Sequence, residues 1–253
     1  MARFCSLLSG GKDSNYALYR ALKEGIEPAC ILSIRPHRVD SWMFHTAVLE
    51  APRYQARAMG LENVFREHAV SGEKEVEVQE LYRVLSQLHR EIGFDVLVVG
   101  AIASTYQRRR VELIAGKLGL RVFAPQWGED PRRYMRSLVE EGFKFVLVRA
   151  STMGLDERHV GIIVDNSLLE DILERASKYG FHPAFEGGEA ETLVLSAPHY
   201  KSSLCIEGSR VSRPGGVFEL EVSMIYLCSE PQVRIYQAGE EPLEPSQDGL
   251  RVG

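Results

Sequence analysis

The sequence has few cysteines and no long apolar run, and these absences exclude several classes of protein. Its four cysteines, Cys5, Cys30, Cys205 and Cys228, form no CxxC pair, so zinc ribbons and thioredoxin-like redox sites are not expected. Cys5, Cys30 and Cys228 lie in apolar runs, and we expect them to be buried free thiols. No apolar run approaches the ~20 residues of a transmembrane helix, and the stretch up to Leu8 is too short for a signal peptide. A cytoplasmic enzyme or binding protein is therefore expected.

Positive charge is not in excess either. The formal net charge is -5 at pH 7 and the pI is about 5.9, so no global basic field would drive non-specific binding to nucleic acid, although a local basic patch is compatible with these values. Arginine outnumbers lysine 23 to 7 and asparagine occurs 3 times, which fits a thermophilic source or a GC-rich genome. The 253 residues, 45% hydrophobic and 26% charged, are typical of a globular protein with one or two domains of roughly 150 residues each.

Strand and helix patterns alternate through residues 1–150. The predicted strands are Phe4–Leu8, Ala29–Ile34, Val64–Val70, Asp95–Val99, Arg121–Ala124 and Phe143–Val148. The predicted helices are Asp13–Lys23, Thr46–Met59, Val76–Ile92, Thr105–Leu118 and one that starts at Pro131 after a possible N-cap at Asp130. This alternation predicts an α/β fold with a doubly wound parallel sheet. Ligands of such sheets bind at the carboxyl ends of the strands, which makes the loops after Leu8, Ile34 and Val99 candidate sites.

The pattern changes after residue 150. A helix is predicted over Leu168–Tyr179, and strands over Thr192–Leu195, Ser203–Ile206 and Val217–Leu227, with a hairpin connection at Arg213–Gly216. Polar residues alternate with apolar ones in the last strand, as in a half-buried strand. We expect residues 151–238 to form a smaller α+β domain with an antiparallel sheet, and residues 239–253 to be a loose C-terminal tail.

The strongest local motif is a hexapeptide between the first strand and the first helix: Ser9, Gly10, Gly11, Lys12, Asp13 and Ser14. Two glycines let backbone N–H groups approach an anion, and the N-terminus of the following helix adds partial positive charge. Lys12 adds a cation, and Ser9 and Ser14 add hydroxyl donors. The spacing differs from the Walker A pattern. An ordinary glycine-rich turn is the alternative, but the whole hexapeptide in this context favours a polyphosphate site.

Two further clusters could carry chemistry. Residues 100–112, GAIASTYQRRRVE, follow the clearest buried strand and include Arg108 and Glu112, which are four apart and can pair on one helix face. A solvated basic helix explains this cluster as well as an anion site does. Residues 186–192, EGGEAET, place three carboxylates on a turn before a strand. These could bind Mg²⁺, ammonium or a cationic substrate, but an acidic surface turn is the better interpretation of the residues alone.

Together these motifs resemble a known family. SGGKDS resembles the PP-loop of the N-type ATP pyrophosphatases, and the order of SGGKDS, GAIxSxYQRxRVE and EGGExET resembles the diphthine–ammonia ligase family, which completes diphthamide on translation elongation factor 2. Residues 40–44, DSWMF, are similar to a further segment of that family. The resemblance covers about residues 3 to 201. Ala184 and Phe185 stand where the family often has Cys-Gly, and Ser196 stands where Asp is common, so the substrate pocket departs from the family's pattern.

The resemblance implies a reaction and its participants. ATP, diphthine on elongation factor 2 and ammonium would give diphthamide, AMP and pyrophosphate through an acyl-adenylate. ATP and Mg²⁺ are the implied cofactors, with no membrane and no nucleic acid as partners, and a homo-oligomer is left open. Residues 1–150 would be the ATP-binding domain and residues 151–238 the substrate-binding domain.

The resemblance also implies roles for single residues. Lys12, Asp13 and Glu189 would be catalytic, and Asp13 would contact Mg²⁺ unless it only caps the helix. The implied ATP-binding residues are Ser9, Gly10, Gly11, Lys12, Asp13, Ser14, Ile34, Gly100, Ala101 and Ile102. The implied substrate-binding residues are Ser104, Tyr106, Gln107, Arg108, Arg110, Glu112, Glu186, Gly187, Gly188, Glu189, Glu191 and Thr192. The trimethylammonium of diphthine and ammonium itself would give the glutamates an electrostatic role, whereas His37, His45 and His159 are interpreted as solvated or structural.

Three rival interpretations remain at this point. The chain could be a PP-loop amide-forming enzyme that acts on a small carboxylic acid, a tRNA-modifying PP-loop enzyme, or a nucleotide-binding module without catalysis. The absence of CxxC pairs and the negative net charge argue against the tRNA enzyme.

Overall fold

The computed structural model describes residues 1–37, 48–73, 75–100, 105–236 and 250–251. The DSWMF segment at 40–44, His45, Ala101, Ile102 and Ser104 lie outside the described residues, and only the helical backbone is described for Tyr106 and Gln107. The chain divides into two compact units. The first contains Met1–Pro52 and Leu61–Gly128, and the second contains Arg53–Gly60 and Glu129–Gly253.

The first unit is built on a fully parallel five-stranded sheet with the strand order β3-β2-β1-β4-β5. Its strands are β1 Arg3–Leu7, β2 Glu27–Pro36, β3 Phe65–Val70, β4 Val96–Val98 and β5 Arg121–Phe123. Its helices are α1 Lys12–Lys23, the start of α2 Ala51–Met59, α3 Val76–Ile92, α4 Thr105–Leu118 and a 3₁₀ turn at Glu62–Val64. The predicted doubly wound α/β fold is confirmed.

The direction of winding reverses between β1 and β4. The chain runs from β1 outward to β3, then crosses back through α3 to β4 and β5. Because such crossovers are right-handed, α1 covers one face of the sheet and α3 and α4 cover the other. A buried cluster on the α3–α4 face joins Cys5, Leu32 and Leu97 of the strands to Leu85 and Ile114 of the helices. The loops after β1 and β4 therefore border the point where ligands bind in this topology.

The helix termini follow the local sequence. The helix α5, Pro131–Glu140, starts where predicted, with Asp130 accepting a 2.8 Å hydrogen bond from the backbone N–H of Arg133. The helices α3 and α4 have the predicted bounds. The helix α2 starts at Ala51 rather than at Thr46, which lies outside the described residues.

The second unit contains a six-stranded mixed sheet with the order β10-β8-β9-β6-β7 and β11 on β9. Its strands are β6 Lys144–Ala150, β7 Ala190–Ser196, β8 Ser203–Arg213, β9 Val217–Cys228, β10 Gln232–Ile235 and β11 Leu250–Arg251. Its helices are α5, the 3₁₀ turn Glu157–His159 and α6 Asn166–Tyr179. The stretch Arg53–Gly60 groups with this unit, and Gln55 Nε2 donates a 2.9 Å hydrogen bond to the Val194 carbonyl of β7.

Three features of this unit differ from the prediction. The division between the units falls after Gly128 rather than after residue 150, because β6 pairs with β7 and β9 and not with the parallel sheet. The sheet is not purely antiparallel, because the unpredicted β10 runs parallel to β8. Within the expected loose tail, Leu250–Arg251 pairs with β9. A short apolar run such as β6 has the same sequence pattern in a parallel and in an antiparallel sheet. The pattern therefore does not reveal which strand it pairs with.

The cysteines differ from expectation at one position. Cys5 and Cys30 are buried and free, as predicted, and burial raises the pKa of the Cys5 thiol, with Cys30 beside it adding to the shift. Cys228, expected as a free thiol, is joined to Cys205 by a disulfide between β8 and β9, with the two Cα atoms 5.9 Å apart. The strand register that brings them together could not be read from their spacing of 23 residues.

No helix within the described ranges combines the length and apolar character needed to cross a membrane.

Candidate functional site

The PP-loop hexapeptide connects β1 to α1 at the carboxyl edge of the parallel sheet. Gly10 has a φ of +92°, a conformation that glycine adopts without strain. Gly11 is the N-cap residue in an extended conformation, and α1 begins at Lys12. Asp13 is therefore inside the first turn, and the alternative that it caps the helix is wrong. An acidic residue in this turn is still favourable with respect to the helix dipole.

Lys12 is buried at the N-terminus of α1. The residue is 2% exposed, and its Nζ donates a 2.8 Å hydrogen bond to Asp13 Oδ2. A buried ammonium beside the positive end of a helix dipole is electrostatically unfavourable unless negative charge lies nearby. Asp13 supplies one negative charge. The backbone N–H groups and the positive end of the helix dipole would also be favourable for a polyphosphate bound at this position.

The two serines of the motif shape the loop itself. Ser14 Oγ donates to the Gly11 carbonyl at 3.1 Å and accepts from the Ser9 backbone N–H at 3.2 Å. The two serine hydroxyls lie 3.1 Å apart. Asn15 Nδ2 also donates to the Gly11 carbonyl, at 3.0 Å. The hydroxyl groups, which we expected to contact phosphate, thus also hold the turn that presents the backbone N–H groups.

Gly100 brings the loop after β4 against the first turn of α1. A Cβ atom at this position would lie 2.4 Å from the Asp13 carbonyl carbon and 2.4 Å from the Ser14 nitrogen. Only glycine allows so close an approach of two backbones. The sequence grouped Gly100 with the PP-loop because both follow the carboxyl ends of predicted strands and because the family resemblance implies it, and the structure brings the two together.

Gln126 also reaches this turn, although the sequence gave no reason to select it. The side chain is fully buried and its Nε2 donates a 3.0 Å hydrogen bond to the Asp13 carbonyl. Its Oε1 has no hydrogen-bond partner among the residues described. Gln126 follows β5 at the same carboxyl edge. That position in the fold is the one signal that could have identified it.

Ile34 does not present its side chain to a nucleotide. It is 5% exposed and belongs to the core cluster on the α3–α4 face. Any contact with a ligand would have to come from its backbone. The neighbouring Arg35 lies close to Glu67, with 2.8 Å between Nε and Oε1, and donates a 3.3 Å hydrogen bond to the Leu49 carbonyl.

The arginines of the motif on α4 contact different partners, as their helical spacing predicts. Arg108 Nε donates to Glu112 Oε1 at 2.6 Å, which confirms the predicted pair. The Arg108 guanidinium also lies 4.4 Å from the centroid of the Trp127 ring. Arg110 bonds instead to Glu75, just before α3. Arg108, Glu112 and Trp127 border a cavity of about 310 Å³ at the ends of β4 and β5.

The EGGE turn lies in the second unit, directly before β7. The Glu189 carboxylate accepts hydrogen bonds from the backbone N–H groups of His182, at 2.9 Å, and Gly187, at 2.8 Å. Ser151 Oγ donates to the Gly188 carbonyl at 2.8 Å. Glu189, for which we expected a catalytic role, thus holds its own turn in place. Among the other expected contacts, Glu186, Glu191 and Thr192 are half-buried, and Gly187 and Gly188 are exposed.

Of the described histidines considered above, His159 is buried and His37 is exposed. His159 is 2% exposed and its ring nitrogens lie 3.0 Å from Asp156 Oδ1 and 3.0 Å from Asp171 Oδ2. The backbone N–H of His37 donates to the Val70 carbonyl beside β3 at 2.9 Å.

Comparison with known proteins decides the family. Residues 2–122 match the family described as the diphthamide synthase N-terminal domain, and residues 130–220 match the diphthamide synthase C-terminal domain. The chain belongs to the diphthamide synthase family. The two matched regions meet close to the division between the structural units, between residues 122 and 130.

The relatives carry one description. Proteins described as diphthine--ammonia ligase are 31% identical in Mus musculus, over 82% of this chain and 84% of theirs, and 32% identical in Danio rerio, over 82% and 87%. A solved structure from Methanocaldococcus jannaschii, described as a predicted subunit of tRNA methyltransferase, has a TM-score of 0.39 at 14% identity over 78% of this chain and 98% of that one. The chain is thus a ligase that forms carbon–nitrogen bonds.

The diphthamide synthase family implies ATP and a metal ion, and the PP-loop residues suit both. The buried Lys12 and the close backbone approach at Gly100 suit a polyphosphate. No group of three or more His, Cys, Asp or Glu side chains that could hold a metal lies within the described part of the chain. Mg²⁺ is commonly held by one or two carboxylates together with phosphate oxygens and water. The single carboxylate of Asp13 fits that arrangement.

Proposed function

We propose that the chain uses ATP and ammonium to convert diphthine on translation elongation factor 2 into diphthamide, releasing AMP and pyrophosphate. The single observation that carries the proposal is the buried Lys12 at the N-terminus of α1, in a turn closed by Gly100. The family membership and the relatives' description as diphthine--ammonia ligase support the substrate. We propose a cytoplasmic location, where the elongation factor works.

In the first step, a carboxylate oxygen of diphthine attacks the α-phosphorus of ATP. The bond from that phosphorus to the bridging oxygen breaks, pyrophosphate leaves and an acyl-adenylate forms. Lys12 and the backbone N–H groups of the PP-loop would stabilise the charge that builds up on the departing pyrophosphate. Asp13 would hold Mg²⁺, which would supply further positive charge to the phosphate oxygens. The residues of this chain thus act by positioning and electrostatics.

In the second step, ammonia attacks the acyl carbon. The bond from that carbon to the AMP oxygen breaks, AMP leaves and an amide forms. Ammonium must lose one proton to water before it can attack, and the attacking nitrogen loses a second proton to water afterwards. We propose that the negative charge of the glutamates at residues 186–191 attracts ammonium to the protein.

The test measures AMP formed from ATP, with and without ammonium, and with elongation factor 2 that carries diphthine or lacks it. We expect AMP only when both ammonium and the diphthine-bearing factor are present. Lys12→Ala should lower kcat by roughly 100-fold or more, as for loss of one electrostatic contact to a transition state. Lys23→Ala, at the exposed end of the same helix, is the matched control and should keep wild-type activity.

Each of the three rival interpretations predicts a different experimental result. AMP formation with small carboxylic acids but not with the factor would indicate a small-molecule ligase. ATP binding without any AMP would indicate a nucleotide-binding module, and Lys12→Ala would then change binding alone. In a separate gel assay, slower migration of tRNA in the presence of the protein would indicate the tRNA-modifying enzyme.

A further inference from the structure

Three side chains form a cation-binding arrangement beside the candidate ATP site. The Arg108 guanidinium stacks over the Trp127 ring, 4.4 Å from its centroid, and Arg108 Nε bonds to Glu112 Oε1 at 2.6 Å. All three line the cavity of about 310 Å³ at the ends of β4 and β5. The face of the Trp127 ring and the Glu112 carboxylate thus both contact the Arg108 guanidinium, which is a positive charge of the protein itself.

The Trp127 ring and the Glu112 carboxylate would suit any cation, and they hold the Arg108 guanidinium only weakly. The face of a tryptophan ring is the most attractive of the aromatic side chains for a cation. The Arg108 and Glu112 side chains are 43% and 46% exposed, and exposed ion pairs of this kind contribute little stability. A ligand cation could therefore take the place of Arg108 at a small energetic cost.

The cavity lining selects among cations. Among the residues that the structure describes, the other side chains that line the cavity are apolar: Val99, Val111, Val122 and Ala124. A guanidinium or a primary ammonium buried against such walls would lose hydrogen bonds to water, which is costly. A quaternary ammonium donates no hydrogen bonds and presents methyl groups to apolar walls. An aromatic face is a known means of binding such a group.

The position of the cavity suits a group on the reacting substrate. Val99 and Ala124 directly follow β4 and β5, so the cavity opens at the edge of the sheet where the PP-loop and Gly100 lie. In a doubly wound sheet this edge is where ligands bind.

We propose that this cavity binds the trimethylammonium group of diphthine. Trp127 provides the aromatic face, Glu112 the opposite charge, and Arg108 an internal occupant that moves away when the ligand cation enters. The identity of the natural ligand rests on the proposed function, whereas the preference for a quaternary ammonium rests on the cavity alone.

The test uses tetramethylammonium as the probe and Trp127 fluorescence as the signal. The chain has two tryptophans, so the variant Trp42→Phe makes Trp127 the sole reporter. At constant ionic strength, tetramethylammonium chloride should change the fluorescence saturably and sodium chloride should not. Glu112→Gln should weaken the apparent affinity roughly threefold to tenfold, since an opposite charge beside the cation is lost.

The effect of Arg108→Ala separates this proposal from its alternatives. If Arg108 occupies the ligand's place, its removal should tighten tetramethylammonium binding roughly threefold or more. Arg109→Ala removes the same charge from the exposed surface of α4 and should leave the affinity unchanged. If Arg108 instead served as a contact to an anionic ligand, its removal would affect the probe no more than the removal of Arg109.

Two results would overturn the proposal. One is the absence of a saturable response to tetramethylammonium. The other is a Trp127 response to adenosine but not to tetramethylammonium, which would make the cavity a nucleobase site. The AMP assay on the wild-type enzyme is independent of this titration, so a failure of the proposed function and a failure of the cation site are told apart.

Discussion

At the scale of single residues, the contact between Gly100 and the first turn of α1 allows a test of the proposed ATP site. A methyl group there would lie 2.4 Å from the backbone of Asp13. Gly100→Ala should therefore displace one of the two loops, destabilise the fold by about 1–3 kcal/mol and weaken ATP binding by roughly tenfold or more. Thermal unfolding and ATP titration would measure the two effects.

Gly116→Ala is the matched control for this substitution. Gly116 lies within α4, and a Cβ there would meet no atom within 4 Å. Alanine is a better helix former than glycine by about 1 kcal/mol, so this variant should be slightly more stable and bind ATP normally. Equal ATP affinity in both variants would show that the approach at Gly100 does not matter for the nucleotide.

Residue-scale prediction from sequence succeeds where a site is contiguous. The PP-loop could be found because its six residues and their strand–helix context stand together. Gln126 and Trp127 were missed because they follow β5 without any motif, and they meet α1 and α4 only in the folded chain. Ile34 was assigned to the nucleotide although it faces the core, since a strand buried on both faces does not show which side a residue takes.

At the scale of elements, the turn at residues 186–189 depends on the Glu189 carboxylate. Glu189→Gln replaces one acceptor oxygen by a donor that faces a backbone N–H, so we expect a loss of about 1–3 kcal/mol in unfolding free energy. Urea unfolding would measure it, with the exposed Glu174→Gln on α6 as a control. A large fall in kcat with unchanged stability would indicate a direct catalytic role instead.

The 3₁₀ turn at Glu157–His159 predicts a dependence of stability on pH. Asp156 caps this turn, and the hydrogen bond from the Arg158 side chain is the main cause that holds the pKa of Asp156 well below its usual value. A carboxyl whose folded-state pKa is depressed stabilises the fold above its unfolded pKa, about 3.9, and loses that contribution as the pH falls toward the folded value.

Asp156→Asn should accordingly lower stability at pH 7, and the difference from wild type should shrink below about pH 4. Urea unfolding at several pH values would show this. A difference that stays constant across the range would mean that the charge of Asp156 contributes nothing.

Elements could be predicted where their periodicity or their alternation with other elements is clear in the sequence. The long helices α3 and α4 have the predicted bounds because their apolar residues repeat at helical spacing over several turns. The three-residue strands β4 and β5 were found because they alternate with helices, whereas the four-residue β10 is part of no such alternation and was missed. Strand β6 was found but placed in the wrong sheet, since pairing depends on contacts distant in sequence.

At the scale of the whole molecule, the disulfide between Cys205 and Cys228 predicts a difference between oxidised and reduced protein. Closing a loop of 23 residues stabilises a fold by about 3 kcal/mol. Reductant should therefore lower the melting temperature by roughly 5–10 °C. Maleimide labelling after unfolding provides a second readout. We expect two of the four cysteines, Cys5 and Cys30, to react without reductant. Labelling of all four without reductant would contradict the disulfide.

The transfer of nitrogen from ammonium to elongation factor 2 is the most direct test of the proposed reaction. The complete enzyme would be incubated with ATP, ammonium labelled with heavy nitrogen and the diphthine-bearing factor, and the factor would then be analysed by mass spectrometry. We predict that the label appears as an amide at the diphthine side chain, in an amount that matches the AMP formed. AMP formation without label in the factor, or label without ATP consumption, would contradict the proposed ligase.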